Sequence, residues 1–231
     1  MKLSLTIPEM KTYTNKLLAN YLPSDDTEII DEKMIHLAMQ RIENCFKNIR
    51  RKYYNEDETT YFNHLNSDHM VNFLWFLSNT LSQADRIILA DKLSYLNKIM
   101  HSIDAWHNIK LPDVFLFVHP VGTVLGNAHY ENFLVVYQNV TVGANIKNEY
   151  PKFLGSSILY SKASVIGNCA IGENVILGSN SLAINQNIKR NSVYVGNPLQ
   201  NEIRSSSLNV REFIFGHKYQ SHLTPKKDLE E

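Results

Sequence analysis

Ile171-Gly-Glu-Asn-Val-Ile-Leu-Gly-Ser-Asn-Ser-Leu182 contains two copies of one six-residue unit, with glycine at the expected bends, Gly172 and Gly178. Working outward from it, the opening position recurs as Phe153, Leu159, Val165, Ile171, Leu177 and Ala183, and, before a break, as Val118, Val124, Tyr130, Val136 and Val142. A second set, nearly all small or β-branched, stands four residues after these: Gly122, Ala128, Leu134 and Val140, then Ser157, Ala163, Cys169, Val175 and Ser181. Neither the helical period nor plain strand alternation produces such spacing. A six-residue recurrence marks a hexapeptide β-helix, in which short strands wind around a narrow prism and the periodic side chains fill it. An ordinary β-sandwich of short strands is the alternative. Eleven periodic positions interrupted once argue against it.

The 231 residues suffice for one or two domains. With 23 basic and 23 acidic residues the formal charge is zero, which implies no general attraction to nucleic acid or to an acidic membrane. The two cysteines, Cys45 and Cys169, stand far apart, so no disulfide framework is expected and a reducing compartment fits. No stretch has the length and apolarity of a signal peptide core or a membrane span, and the expected location is cytoplasmic.

The first hundred residues contain no glycine, whereas the remainder holds all nine, and this contrast predicts a helical domain over residues 1–103. Pro8 suits the first turn of a helix running toward Tyr21. Ser24 or Asp25 is a candidate cap for a second helix with an apolar face of Ile30, Met34, Leu37, Ala38, Ile42, Cys45, Phe46 and Ile49. Its end is placed in Lys47 to Lys52, where the cations suit the helix dipole. After a polar link from Asn55 to Thr60, a third helix is expected from about Ser67. A fourth is expected from Ala84 to about His101, opened by a Ser82–Asp85 capping box and facing inward through Ile88, Leu89, Leu93, Leu96 and Ile99. Trp75 and Trp106 are read as packing residues. The apolar surface of this region suits a subunit contact.

Entering the first coil, His119-Pro-Val-Gly-Thr-Val-Leu-Gly126 is followed by Gln138-Asn-Val-Thr-Val-Gly143. The pair resembles the core of bacterial serine acetyltransferases and related hexapeptide acyltransferases. The helical region ahead of the coils, Pro151-Lys152 after the break and Gly196-Asn-Pro198 at the end match as well, so the resemblance spans roughly residues 100–204. The sequence of 205–231 reads as a loosely ordered tail in which Phe213, Ile214 and Phe215 could dock on another subunit, whereas the resemblance implies a helical domain followed by a left-handed parallel β-helix over 104–204. It also implies acetyl-CoA as co-substrate and no metal.

Transfer of an acetyl group from a thioester to a hydroxyl needs a base, and histidine has a suitable unperturbed pKa. His119, following an inward Val118, is expected to face outward into a groove between subunits. By the resemblance it is the general base, oriented by an aspartate fifteen residues earlier, which is Asp104, with Asp113 as the fallback. The same resemblance places acetyl-CoA along Gly143, Ala144, Ser161 and Ser179. His129 reads as a solvent-facing neighbour, Cys169 as core. Two histidines in the coils are too few for the three-histidine zinc site of the carbonic-anhydrase-like β-helices.

Where serine acetyltransferases carry an Arg-His pair, this chain has Glu149 and Tyr150. A carboxylate there would repel the carboxylate of serine, while Tyr150 offers a ring for stacking on a sugar. The expected acceptor is therefore a sugar hydroxyl of a surface polysaccharide or its precursor, with serine as the alternative. A non-catalytic trimeric β-helix scaffold is the reading from a different class. Flat prism faces and a shared groove predict a homotrimer or a dimer of trimers.

Overall fold

The computed structural model describes residues 1–24, 28–57 and 59–216. Helix α1 (Ile7–Tyr21) opens with a capping box. The Thr6 hydroxyl accepts from the Glu9 amide, the Glu9 carboxylate accepts from the Thr6 amide, and Pro8 occupies the first turn. Helix α2 (Glu32–Phe46) begins later than expected. Its cap is Asp31, whose carboxylate accepts from the Met34 amide at 3.0 Å, and Asp25 lies outside the described residues. The run Arg50-Arg51-Lys52 stands in a turn beyond the helix end, so these cations do not serve its dipole.

Helix α3 (Ser67–Gln83) is buried from His69 to Leu81, packed against α2, helix α4 (Ile87–His101) and the first coil. The expected Ser82–Asp85 capping box is absent. Asp85 turns the chain with φ of 59°, and Arg86 is the N-cap of α4 without a side-chain cap bond. Arg86 is instead committed to Glu28 and Asp31, each at 2.8 Å. Leu89, Leu93 and Leu96 face the core, but Ile88 and Ile99 are exposed. Trp75 is buried as expected, whereas Trp106 is exposed. The stretch read as a polar link contains a hairpin of Asn55–Glu56 with Thr59–Phe62, and Lys2–Leu3 adds to it in parallel.

From Asp104 onward the chain winds as a parallel β-solenoid with three faces. One ladder stacks Phe115–Val118, Leu134–Tyr137, Ser157–Leu159, Val175–Leu177 and Ser192–Asn197. A second stacks Asp104–Ala105, Val124–Leu125, Thr141–Gly143, Ser164–Ile166 and Leu182–Ile184. Lys152–Phe153 and Ala170–Ile171 form the third. The register stacks like on like inside the prism: Phe117, Val136, Leu159, Leu177 and Tyr194 form one column, and Leu125, Val142, Val165 and Ala183 another. All nine are buried. Corners are turned by left-handed residues, among them Asn139, Asn174, Asn180, Asn185 and Asn191. Asparagine tolerates that conformation because its short amide can bond locally. Gly122 is required at its corner, since at φ of 74° a Cβ would sit 2.4 Å from the Asn139 side-chain oxygen.

The six-residue register slips by one place in the first coil. Val118 is half-buried and Val124 is exposed, while Phe117 and Leu125 take the interior positions and Thr123 replaces Gly122 in the small-residue set. The cause is the turn from His119 to Gly122, which lengthens that corner. Phe117 therefore lies nineteen residues before its partner Val136, whereas Leu159 precedes Leu177 by eighteen. Phe115 of this coil stacks on Phe76 at 5.4 Å and meets Trp75 edge-on at 5.5 Å, so helices and solenoid share one core. After the last coil, Gln200–Ser205 folds back antiparallel and α5 (Val210–Ile214) follows. Ile214 and Phe215 are buried against this same chain, with Phe215 bridged to Ile49 and packed on Phe133 at 5.3 Å, while Phe213 stays exposed.

Candidate active site

His119 sits just past the Phe115–Val118 strand with φ of 47°, a conformation that costs a non-glycine residue energy and is held by its surroundings. Its side chain is 77% exposed. It does face outward, although the residue that anchors the coil beneath it is Phe117 and not Val118. Nδ1 lies 3.3 Å from Asp68 Oδ2, and the backbone amide donates to Asp68 Oδ1 at 3.3 Å. One imidazole nitrogen is thus engaged. Nε2 is left toward solvent.

Asp104, matched to the orienting position by the resemblance, has its carboxylate 2.6 Å from the Lys98 ammonium. Asp113 is exposed, and its charge bears on Arg41 and Cys45 of α2. Asp68 belongs to the first turn of α3, and its approach to His119 was invisible in the sequence because 51 residues separate the two. A first-turn acid reads there as a partner for the helix dipole, and no local spacing links it to the coils.

The prism corner occupied by His119 continues through successive coils. The Asn139 amide donates to Val121 O at 2.9 Å, Lys162 to Gln138 O at 3.0 Å and Asn180 to Ser161 O at 3.0 Å. Ser161 and Ser179 therefore stand above His119 on one edge, their hydroxyls 3.2 Å apart. Tyr137, in register with Val118, meets Tyr160 with ring centroids 4.9 Å apart on the same edge. Burial raises the Tyr137 phenol, and the neighbouring Tyr160 adds to this while Arg51 opposes it.

Gly143 and Ala144 close the far end of the adjoining strand, about 15 Å from that corner at ~3.3 Å per residue. The seven residues that follow form a loop closed on itself: Asn145 Nδ2 donates to Glu149 Oε2 at 2.6 Å, the Glu149 amide donates to Asn145 Oδ1 at 3.1 Å, and the Asn145 amide donates to Glu149 O at 3.2 Å. Tyr150 is exposed and Pro151 buried. Within one chain the structure sets His119, Ser161 and Ser179 along one edge, Ser161 two coils above His119 and Ser179 three. It sets Gly143, Ala144, Glu149 and Tyr150 at a different corner. His129 pairs with Glu131 at 3.1 Å, and the Cys169 thiol is raised by burial and packed in the prism. No cluster of three metal-ligating side chains occurs among the described residues, and no helix of these is long and apolar enough to cross a membrane.

No family model matches the sequence. The serine acetyltransferase of Synechococcus elongatus is 27% identical over 110 residues, which cover 46% of this chain and 45% of the relative. The chain spans about half the length of the curated relatives it matches, from 45% to 62% of them. Among solved structures, Neisseria gonorrhoeae serine acetyltransferase superposes with a TM-score of 0.65 at 18% identity, covering 89% of this chain and 81% of that one. A serine acetyltransferase in complex with CoA gives 0.63 at 19% identity, covering 85% of each. In sequence and in fold the chain is similar to serine acetyltransferases, with helices leading into a hexapeptide-repeat solenoid.

Proposed function

We propose that this serine acetyltransferase-like chain is an acetyl-CoA-dependent O-acetyltransferase with His119 as its general base and serine as the acceptor. The observation that carries the reading is the exposed His119 ring, engaged at Nδ1 and open at Nε2, at the foot of an edge lined by Ser161 and Ser179. Nε2 takes the proton of the acceptor hydroxyl as its oxygen attacks the thioester carbonyl. The same proton then goes to the departing CoA sulfur, which leaves the base neutral for the next cycle. Acetyl-CoA, which supplies the acyl group, is assigned to the edge of Ser161 and Ser179, with Gly143 and Ala144 lining the opposite wall of a groove between two prisms. Separation of those positions within one chain is the reason to assign the complete site to a homotrimer or a dimer of trimers.

The choice of acceptor departs from the sugar expected from Glu149 and Tyr150. The curated relatives are named serine acetyltransferases, and solved structures of such enzymes include one with serine bound. The Glu149 carboxylate is also committed to Asn145 rather than left to repel an acceptor. A serine carboxylate still needs a cation, and we assign this to Arg51. It is exposed, begins the turn that carries Tyr54, and its charge bears on both Tyr54 and Tyr137 beside the His119–Asp68 pair. The test is thiol release from acetyl-CoA with serine against a panel of nucleotide sugars. Saturable turnover with serine alone supports the proposal, turnover with a sugar alone returns the acceptor to the carbohydrate reading, and no CoA binding at all would leave a scaffold.

A further inference from the structure

The resemblance assigns the orientation of the catalytic histidine to the coil beneath it. The side chains do not follow that assignment. Asp104 Oδ2 is 2.6 Å from Lys98 Nζ, whereas both oxygens of Asp68 are turned to His119, one on the backbone amide and one on Nδ1, each at 3.3 Å. We infer that Asp68, from the first turn of α3, is the positioning residue that holds the His119 imidazole, so that the helical region and the first coil build the site jointly.

The grip is double, and each half has a physical purpose. The bond to the amide fixes the backbone of a residue in the left-handed region, where a histidine would not stay unaided. The contact with Nδ1 selects the tautomer with its proton on Nδ1, leaving the Nε2 lone pair for the acceptor, and stabilises the imidazolium that forms when Nε2 takes a proton. Asn would keep the shape and lose the charge. It could also present its NH2 group to Nδ1 and select the wrong tautomer.

Asp68 is itself well placed. Its side chain is 16% exposed. The Asn66 side chain accepts from the Asp68 amide at 3.0 Å, and the Asn72 amide group holds the Asp68 carbonyl at 2.6 Å. Next in sequence, His69 accepts from the Asn63 amide at 3.1 Å and is packed among Phe46, Tyr54 and Phe62. The carboxylate therefore projects from a rigid helix start whose dipole favours its negative charge. Burial raises its pKa, and His119 pulls it back by charge and by hydrogen bonding. The Asp68 charge acts on Tyr54, and the Arg51 charge acts on both Tyr54 and Tyr137.

The inference rests on the acetyltransferase reading for its kinetic arm but not for its structural one. The structural arm is the nitrogen-15 spectrum of imidazole-labelled protein, with His119 assigned by the H119A variant. Wild type should show a protonated Nδ1 and an unprotonated Nε2 at pH above the histidine titration, and D68N should shift toward the other tautomer or a mixture. For turnover, D68N should lose about 10²–10⁴-fold in kcat, as a mis-oriented imidazole does, with KM for acetyl-CoA within a factor of about two. D68E should recover part of the loss, and D104N should stay within about threefold of wild type. Melting near the wild-type value in D68N and D68E shows that folding is intact. The inference is overturned if D68N leaves both tautomer and kcat unchanged, or if D104N rather than D68N causes the loss. Failure of the acetyltransferase reading would show differently, as an H119A protein as active as wild type whatever the tautomer.

Discussion

Asn145 and Glu149 are joined by three hydrogen bonds: side chain to side chain at 2.6 Å, the Glu149 amide to Asn145 Oδ1 at 3.1 Å, and the Asn145 amide to the Glu149 carbonyl at 3.2 Å. Asn145 also donates to Asn185 Oδ1 at 2.8 Å, which ties the loop to a higher coil. Glu149 thus closes the loop that interrupts the hexapeptide rhythm. Replacing it with Gln, which keeps an acceptor oxygen, should leave the efficiency with serine within about threefold of wild type, the range of a change that touches no reacting group. A tenfold gain with serine in E149Q would mean that the carboxylate does repel the acceptor.

Arg51 gives a complementary prediction. R51A should raise KM for serine by about tenfold or more, since a charge-assisted hydrogen bond contributes roughly 1.5–3 kcal/mol, while KM for acetyl-CoA holds. Steady-state kinetics with each substrate varied in turn checks this. An unchanged KM for serine would move the carboxylate contact elsewhere.

The fold itself makes two predictions of different kinds. Phe153 is fully buried in the prism with its ring stacked on Tyr130 at 5.4 Å and 9°, so F153A should cost about 3–5 kcal/mol by urea titration. Gly122 should be intolerant for another reason. Alanine there meets the Asn139 oxygen and must hold a left-handed φ, at a cost of about 1–3 kcal/mol. Losses well under 1 kcal/mol in either variant would contradict the packing described.

Acid should weaken the protein through His69. Burial lowers its pKa from 6.5 to about 4, and Nδ1 is already an acceptor for the Asn63 amide. His101 is lowered to about 4 in the same way. Both rings stay neutral when folded and take up protons when unfolded. Between pH 6.5 and 4 the unfolded state therefore binds more protons, so stability falls as pH drops through that window and is flat in these groups above it. Melting temperature measured from pH 7.5 to 5 should decline below about 6.5, and less steeply in H69Q if that variant folds. A flat wild-type profile would show that these rings are not held neutral.

What the sequence reveals here depends on how local the physics is. Repeats from Tyr130 to Ala183 are legible because each side chain that fills the prism stacks on its like one coil away. The first coil misleads because His119-Pro-Val-Gly122 lengthens a corner and the six-residue count carries straight through it, placing Val118 and Val124 where Phe117 and Leu125 belong. In the helices, the Ser82–Asp85 pair misleads because Asp85 turns the chain at φ of 59°, directly before the uncapped helix start at Arg86. The hairpin near Thr59 is too short and polar to show a period. His119 could be picked out by its motif. Its partner Asp68 could not, since nothing in a first-turn aspartate specifies which distant turn it will face.

The most direct measurement compares wild type with H119A in a single assay of thiol release from acetyl-CoA in the presence of serine, alongside calorimetry of CoA binding. H119A should lose roughly 10²–10⁴-fold in kcat, with CoA affinity and melting behaviour close to wild type. H119A that turns over serine as fast as wild type would contradict the assignment of His119 as the general base.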